Sequence, residues 1–314
     1  MESATLGPLT VSRLGLGCNS IGSRLDLAAT RRLVDAALDA GITLFDTADI
    51  YGNRSGSLIT GNLGGSERQL GEVLRGRRER VVLATKFGGD MGEGRAGGRP
   101  EYVRAAAEAS LRRLETDRID LLYYHWPDEV TPIAETAGAM AELLDEGLVR
   151  AIGMSNVSAA ELREAASAAP VAAVQNEYSL LVREAEHEVL PLCREIGAGF
   201  VPYYPLAAGL LTGKYREGVA PGGARLSDGG PLAEGSDVTP RASVDFALLD
   251  RLRTAAEAHG RTLLEIALGW LEAQPGVASV IAGATTGEQV RQNADAVSRP
   301  LSAAELARLA LAPS

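Results

Sequence analysis

Residues 149–177 read VRAIGMSNVSAAELREAASAAPVAAVQNE. The segment opens on VRAIGMS (149–155), a short apolar run that predicts a buried strand. It passes to SAAELREAASAA (158–169), where apolar residues recur at helical spacing, and returns to a second apolar run, VAAVQNE (171–177). Strand, helix and strand in immediate succession form one β/α unit, and the same alternation continues on both sides of it. Upstream, RLGLGC (13–18), ITLF (42–45), VVLATKF (81–87) and IDLLYYH (119–125) are expected as strands. The helices between them are DLAATRRLVDAALDAG (26–41), SERQLGEVLRG (66–76), RPEYVRAAAEASLRRLE (99–115) and PIAETAGAMAELLDEG (132–147). Asp26 and Pro100 mark starts, and Gly41 marks a stop. Downstream comes EAEHEVLPLCREIG (184–197), a helix that Pro191 is expected to kink. AGFVPYYP (198–205) predicts the next strand, a Gly/Pro/Asp-rich segment (206–242) and two helical stretches follow, and GVASVIAG (276–283) predicts the last strand. TGEQVRQNADAV and SAAELARLAL are expected to be helices at the end.

The strands are near-continuous apolar runs, as a parallel sheet buried on both faces requires. Eight β/α units in 314 residues predict an α/β protein folded as a closed (β/α)8 TIM barrel, a single domain over 1–314, with a doubly wound open sheet as the alternative. ATLGPLTVSRLG ahead of the first barrel strand is expected to be an N-terminal β-hairpin plugging the barrel bottom, and the last helices are additions to the barrel.

The formal net charge is −10, which argues against nucleic acid or an anionic membrane as a main partner. Two cysteines, Cys18 and Cys193, make no disulfide framework, so a reducing cytoplasm is the expected location. MESATLGPLT does not have the form of a secretory leader, and no apolar stretch is long enough to span a membrane. Of 31 basic residues only Lys86 and Lys214 are lysine. Lysine is a compact charge whose pKa burial can tune, so its use in an arginine-rich chain is informative.

In such a barrel the active site lies where strands end and βα loops begin. Those positions here hold Asp46, Lys86, His125, Ser155 with Asn156, Gln175 with Asn176, and Tyr203, and Tyr51 stands on the loop just after Asp46. Singly, an aspartate after a strand is usually a helix cap, a histidine a satisfied core group and a tyrosine a rim residue. Four of them converging on one mouth suggest chemistry. A buried lysine needs a counter-charge, which Asp46 supplies. The ammonium favours ionisation of a neighbouring phenol, and a histidine can orient a carbonyl oxygen. Together these groups are an apparatus for protonating an oxyanion as it forms. No protein nucleophile stands beside a base, so a hydride from a nicotinamide fits the attack on carbon.

With those residues in place the chain resembles an aldo-keto reductase over nearly its whole length, from RLGLGC to RQNADA. FDTADIYGN with GGSERQLGEVL, LATKFG, LLYYHWPD, VRAIGMSN, QNEYSLL, PYYPLAAGLLTGKY and VIAGATTGEQVRQN appear in the family's order. The resemblance implies catalytic Asp46, Tyr51, Lys86 and His125, with Tyr51 the proton donor. It implies that Ser155, Asn156 and Gln175 hold the carboxamide and that Tyr203 stacks on the nicotinamide. Leu206 and Lys214 would follow the pyrophosphate, and Gly283, Thr285, Gln289 and Asn293 the adenosine end. Gly17 and Cys18 follow the first barrel strand, beside the nicotinamide site. Tyr204 stands where the family commonly has serine, and Thr285 where many members place a basic residue. The resemblance makes NADPH the expected cofactor, and the missing basic residue at 285 leaves NADH possible. The implied partner is a small carbonyl compound, with Ile50 and Trp126 as apolar walls. The long loop after Tyr51, which carries Leu58 and Ile59, the glycine-rich loop after Lys86 and the lack of a closing tail lead to an expected mouth open on one side. A nicotinamide-binding redox-sensing regulatory subunit and a nucleotide-linked keto-sugar reductase are the alternatives.

Other motifs fail on their residues. GLGCNS has Ser20 where a dinucleotide fingerprint needs its third glycine, GLLTGKY lacks the spacing and final Ser/Thr of a phosphate loop, and HEVLP is not a zinc motif. No metal site is expected.

Overall fold

The computed structural model describes residues 1–52, 62–217 and 244–310. Leu58 and Ile59 of the expected inserted loop, and most of the Gly/Pro/Asp-rich segment, lie outside the described residues. The chain opens on an antiparallel hairpin, β1 (Ser3–Leu6) and β2 (Leu9–Ser12), turned at Gly7, whose φ of 54° suits glycine. Then come β3 (Leu14–Gly17), α1 (Leu27–Asp39), β4 (Leu44–Asp46), α2 (Gly65–Leu74), β5 (Val82–Phe87), α3 (Pro100–Leu114), β6 (Ile119–Tyr124) and α4 (Ile133–Asp145). The second half runs β7 (Val149–Ser155), α5 (Ala159–Ala168), β8 (Val171–Gln175), α6 (Val189–Ile196), β9 (Gly199–Phe200), α7 (Phe246–Glu257), α8 (Leu263–Glu272), β10 (Val280–Gly283), α9 (Gly287–Val297) and α10 (Ala303–Ala310).

Strands β3 to β10 form one parallel sheet in the order β10-β3-β4-β5-β6-β7-β8-β9. The sheet curls until its ends meet. Phe200 bridges to Val277, Ala278 N donates to Phe200 O (2.8 Å), and Ile281 N donates to Pro202 O (3.2 Å). This is the predicted (β/α)8 barrel. Leu6, Leu9 and Val11 of the hairpin pack inside it against Leu44, Leu121, Tyr123 and Ile281, as a plug would. The opposite strand faces pack on the helices in a second, larger apolar layer. Gly153 makes room in the interior, because a Cβ there would sit 2.4 Å from the Tyr123 ring.

Local signals explain several boundaries. Asp26 accepts from Ala29 N (2.8 Å) and caps α1, and Pro100 is the first residue of α3. The segment 184–197 departs from expectation. It begins as a 3-10 turn at Glu184–Glu186, and α6 starts only at Val189, so Pro191 falls in its first turn. The amide that proline lacks has no intrahelical partner there, and a kink has no cause. AGFVPYYP forms a continuous strand only over Gly199–Phe200, with an isolated bridge at Tyr203, and GVASVIAG only from Val280, with one at Val277. No described helix is long and apolar enough to cross a membrane.

Candidate active site

Asp46 ends β4 and Lys86 lies near the end of adjacent β5, so the two side chains meet inside the barrel mouth. Lys86 is fully buried; its ammonium pairs with Asp46 Oδ1 and donates to Thr47 O (2.9 Å). The second carboxylate oxygen, Asp46 Oδ2, accepts from Gln175 Nε2 (2.9 Å) on β8 across the barrel. A buried charge pair survives only when such additional hydrogen bonds satisfy it. Beyond Asp46 the chain stays pinned to β5, through Thr47 N to Ala84 O (2.9 Å) and Asp49 N to Lys86 O (3.0 Å). It then turns, with Tyr51 N donating to Ala48 O (3.1 Å), and Ser66 N at the start of α2 donates to Tyr51 O (3.1 Å). The turn delivers the Tyr51 ring to 5.1 Å, centroid to Lys86 Nζ, and to 5.9 Å from the His125 ring at an interplanar angle of 77°.

His125 follows β6. Its amide donates to Phe87 O (2.9 Å), and its ring stacks on Trp126 at 3.5 Å between centroids. Its Nδ1 is buried without a hydrogen-bond partner. Burial first, and then the Lys86 charge, push the imidazole well below its ordinary pKa, so the ring is neutral. Burial also raises the Tyr51 phenol. Lys86 pulls in the other direction, as the sequence implies, but does not win, and Asp46 adds to the rise. Burial opposes the charge on Lys86, yet Asp46 and Tyr51 overcome it and hold the ammonium above its ordinary value.

The residues expected around the nicotinamide form one network with this centre. Ser155 Oγ donates to Gln175 O (2.8 Å). Asn156, at a left-handed φ of 57°, donates from Nδ2 to His125 O (2.9 Å) and Ser155 Oγ (3.1 Å), and its Oδ1 accepts from Tyr203 OH (2.7 Å). Gly17 pairs with Asp46 in register, and Cys18 N donates to Asp46 O (2.8 Å). The residues expected at the pyrophosphate and adenosine lie on other segments. Leu206 precedes a tight turn over Ala207–Thr212, after which exposed Lys214 folds back, its Nζ 5.2 Å from the Tyr215 ring. Gly283 ends β10. Thr285 donates from N (2.8 Å) and Oγ1 (3.1 Å) to Gln289 Oε1 at the start of α9, and Asn293 is buried on that helix. On the substrate side, Ile50 packs over Gly89, and Trp126 is 41% exposed.

The site fits a nicotinamide cofactor. His125 Nδ1 and, in the loop after β3, Asn19 Oδ1 are buried polar atoms without protein partners at this end of the barrel. The first turn of α9 presents a helix N-terminus beside Thr285 and Gln289, which suits an anionic group.

Sequence reasoning missed three parts of the centre: the Thr47 carbonyl, the bond from Gln175 to Asp46, and a buried layer behind Lys86. In that layer Glu67 on α2 accepts from Thr85 Oγ1 (2.6 Å) and Arg113 Nε (2.6 Å), and Asp49 lies beside it. No local pattern announces Glu67, because its partners come from β5 and α3.

The chain belongs to the aldo-keto reductase family: the Aldo/keto reductase family profile matches residues 13–312. It is 35% identical over 306 residues to probable aldo-keto reductase 1 of Glycine max, covering 94% of this chain and 84% of that one. Its structure is similar to that of aldo-keto reductase AKR11C1 from Bacillus halodurans in its holo form, with a TM-score of 0.81 and 33% identity over 100% of this chain and 97% of that one. Family membership makes the chain an oxidoreductase of the NAD(P)H-dependent, carbonyl-reducing type.

Proposed function

We propose that this chain reduces an aldehyde or ketone to an alcohol, with Tyr51 giving the proton to the carbonyl oxygen. The observation that carries this reading is the buried Lys86–Asp46 pair set against the Tyr51 ring, with His125 alongside. A raised phenol pKa keeps the proton on Tyr51 through the neutral range, ready for donation. Once the proton leaves, the phenolate stands beside an ammonium already fixed by Asp46 and Thr47 O, so its stabilisation needs no reorganisation. Neutral His125 offers the carbonyl oxygen a hydrogen bond without adding a charge.

The nicotinamide, when bound, supplies the hydride to the carbonyl carbon. Ser155, Asn156 and Gln175 would hold its carboxamide, Tyr203 would stand at its ring, and Gly17 and Cys18 would lie beside the site. Leu206 and Lys214 follow the pyrophosphate, while Gly283, Thr285, Gln289 and Asn293 meet the adenosine end. NADPH is the proposed cofactor over NADH, because the family resemblance favours it and the α9 N-terminus and Gln289 Nε2 can donate to a phosphate, though without a bidentate arginine. Ile50 and Trp126 border the substrate.

Tyr51→Phe tests the assignment. It removes the proton donor and leaves the carboxamide network untouched. Turnover with a panel of carbonyl compounds should fall by about 100-fold or more, with cofactor affinity, read by nicotinamide fluorescence, retained. Turnover within a few-fold of the unsubstituted enzyme would remove Tyr51 from this role.

A further inference from the structure

Asp49 stands two residues before Tyr51 and is 1% exposed. Both of its carboxyl oxygens are buried without a hydrogen-bond partner among the described residues. The amide of adjacent Ile50 lies close enough to favour the charged form slightly, but it does not reach hydrogen-bond geometry. The charged groups facing Asp49 are Glu67 from α2, Arg113 from α3 and Lys86 from β5, and the Tyr102 phenol on α3 senses it too. The two cations are already engaged. Arg113 donates to Glu67 Oε2 (2.6 Å) and Ser110 Oγ (3.1 Å), and Lys86 is paired with Asp46. An ionised Asp49 would be a second buried carboxylate beside Glu67 with no donor of its own, which a protein interior does not tolerate.

The same residue is mechanically central. Its amide holds the Lys86 carbonyl, and it is the second residue of the Ala48–Tyr51 turn that delivers Tyr51. An unsatisfied buried acid at this point breaks a rule that proteins otherwise keep, and such breaks concentrate at functional sites.

We propose that Asp49 is a neutral acid that positions the Tyr51 turn, and that its ionisation sets the alkaline limit of turnover. This rests on the reading of Tyr51 as proton donor. Loss of the Asp49 proton puts a new negative charge near Lys86, where it opposes formation of the Tyr51 phenolate. The new carboxylate is also drawn toward Arg113 or Lys86, which pulls the turn out of place. Burial and Glu67 both hold the proton on Asp49, in line with this account.

The test compares the unsubstituted enzyme with Asp49→Asn, which is always neutral, and Asp49→Ala, which removes the side chain's bulk. Infrared spectroscopy at neutral pH should find a protonated-carboxyl band in the unsubstituted protein that Asp49→Asn lacks. In thermal unfolding, the folded state holds the Asp49 proton more tightly than the unfolded chain, whose carboxyl titrates near about 3.9. Stability should therefore be lost as pH rises from that value toward the folded-state pKa. Asp49→Asn should be the more stable protein at pH ~8, with the gap closing toward pH ~4. In kcat/KM profiles with NADPH and a reducible aldehyde, Asp49→Asn should move the alkaline limb up by about one pH unit or more, and it should retain more turnover than Asp49→Ala. No protonated-carboxyl band, a less stable Asp49→Asn at pH ~8, or an unmoved alkaline limb would each overturn the proposal. Absence of turnover in the unsubstituted enzyme would instead count against the reductase reading, and the infrared and unfolding arms would still decide the state of Asp49.

Discussion

An imidazole buried beside an ammonium must stay neutral, and that fact about His125 has a measurable consequence. The unfolded chain's histidine takes up a proton near pH ~6.5, whereas folded His125 refuses it until well below that. Its contribution to stability is complete above the unfolded value and is lost as pH falls from there toward the folded value, at up to about 1.4 kcal/mol per pH unit. Urea unfolding at pH ~7.5 and ~5.5 should therefore show a larger loss for the unsubstituted protein than for His125→Asn. Equal losses would mean that the imidazole is charged or solvated in the fold. At this scale the positions of the four proposed catalytic residues were legible, because each is a polar residue at or just after a strand end. Asp49 was not. An acid in a loop reads as solvated, and only its packing beneath α2 and α3 reveals it as orphaned. Asp120, at the other end of β6, is equally buried but pairs with Arg78 (2.6 Å) and Arg150 (3.0 Å), and so is a structural acid.

At the scale of elements, β6 and β7 lie together only because Gly153 has no side chain. An added Cβ would meet Tyr123 ring carbons at 2.4 and 2.5 Å and the Ala173 carbonyl oxygen at 2.8 Å. The carbonyl belongs to the sheet and cannot retreat. Gly153→Ala should cost about 1–3 kcal/mol of stability, measurable by denaturant unfolding. A change within about 0.5 kcal/mol would place it among neutral surface substitutions and refute the packing argument. Periodicity located these elements well and their ends less well. Whether a strand residue pairs depends on the neighbouring strand: past Phe200 the run AGFVPYYP stays bonded to β8 and the residues after it, through Val201 N to Val174 O (2.8 Å) and Tyr203 N to Asn176 O (3.1 Å), and this holds Tyr203 where its hydroxyl reaches Asn156.

For the whole molecule, barrel closure is what makes the site. Residues from β3, β5 and β8 gather around Asp46, and the segment after β9 is joined to β10 through Ile281 N to Pro202 O because the sheet's two ends meet. The proposed preference for NADPH belongs to this scale, since its phosphate would meet the α9 N-terminus across from residues far away in sequence. Fluorescence titration should give the tighter Kd with NADPH, by about tenfold, or about 1.4 kcal/mol. Equal affinities, or tighter NADH binding, would mean that the missing basic residue at 285 outweighs the helix N-terminus and the Thr285–Gln289 pair.

The sequence alone determined the alternation of strands and helices, the count of eight β/α units that predicts a barrel, the plugging hairpin and the strand-end positions of the proposed catalytic residues. These follow from period, apolar runs and turn chemistry, which are local properties. Tertiary structure decided which charges would be satisfied. Gln175 reaches Asp46 across the barrel, Arg113 is spent on Glu67, and Asp49 is left with no donor. It also decided the direction of the Tyr51 pKa, where burial outweighs Lys86. Hydrogen-bond partners and desolvation depend on distances between segments far apart in the chain, and those distances exist only once the barrel has closed.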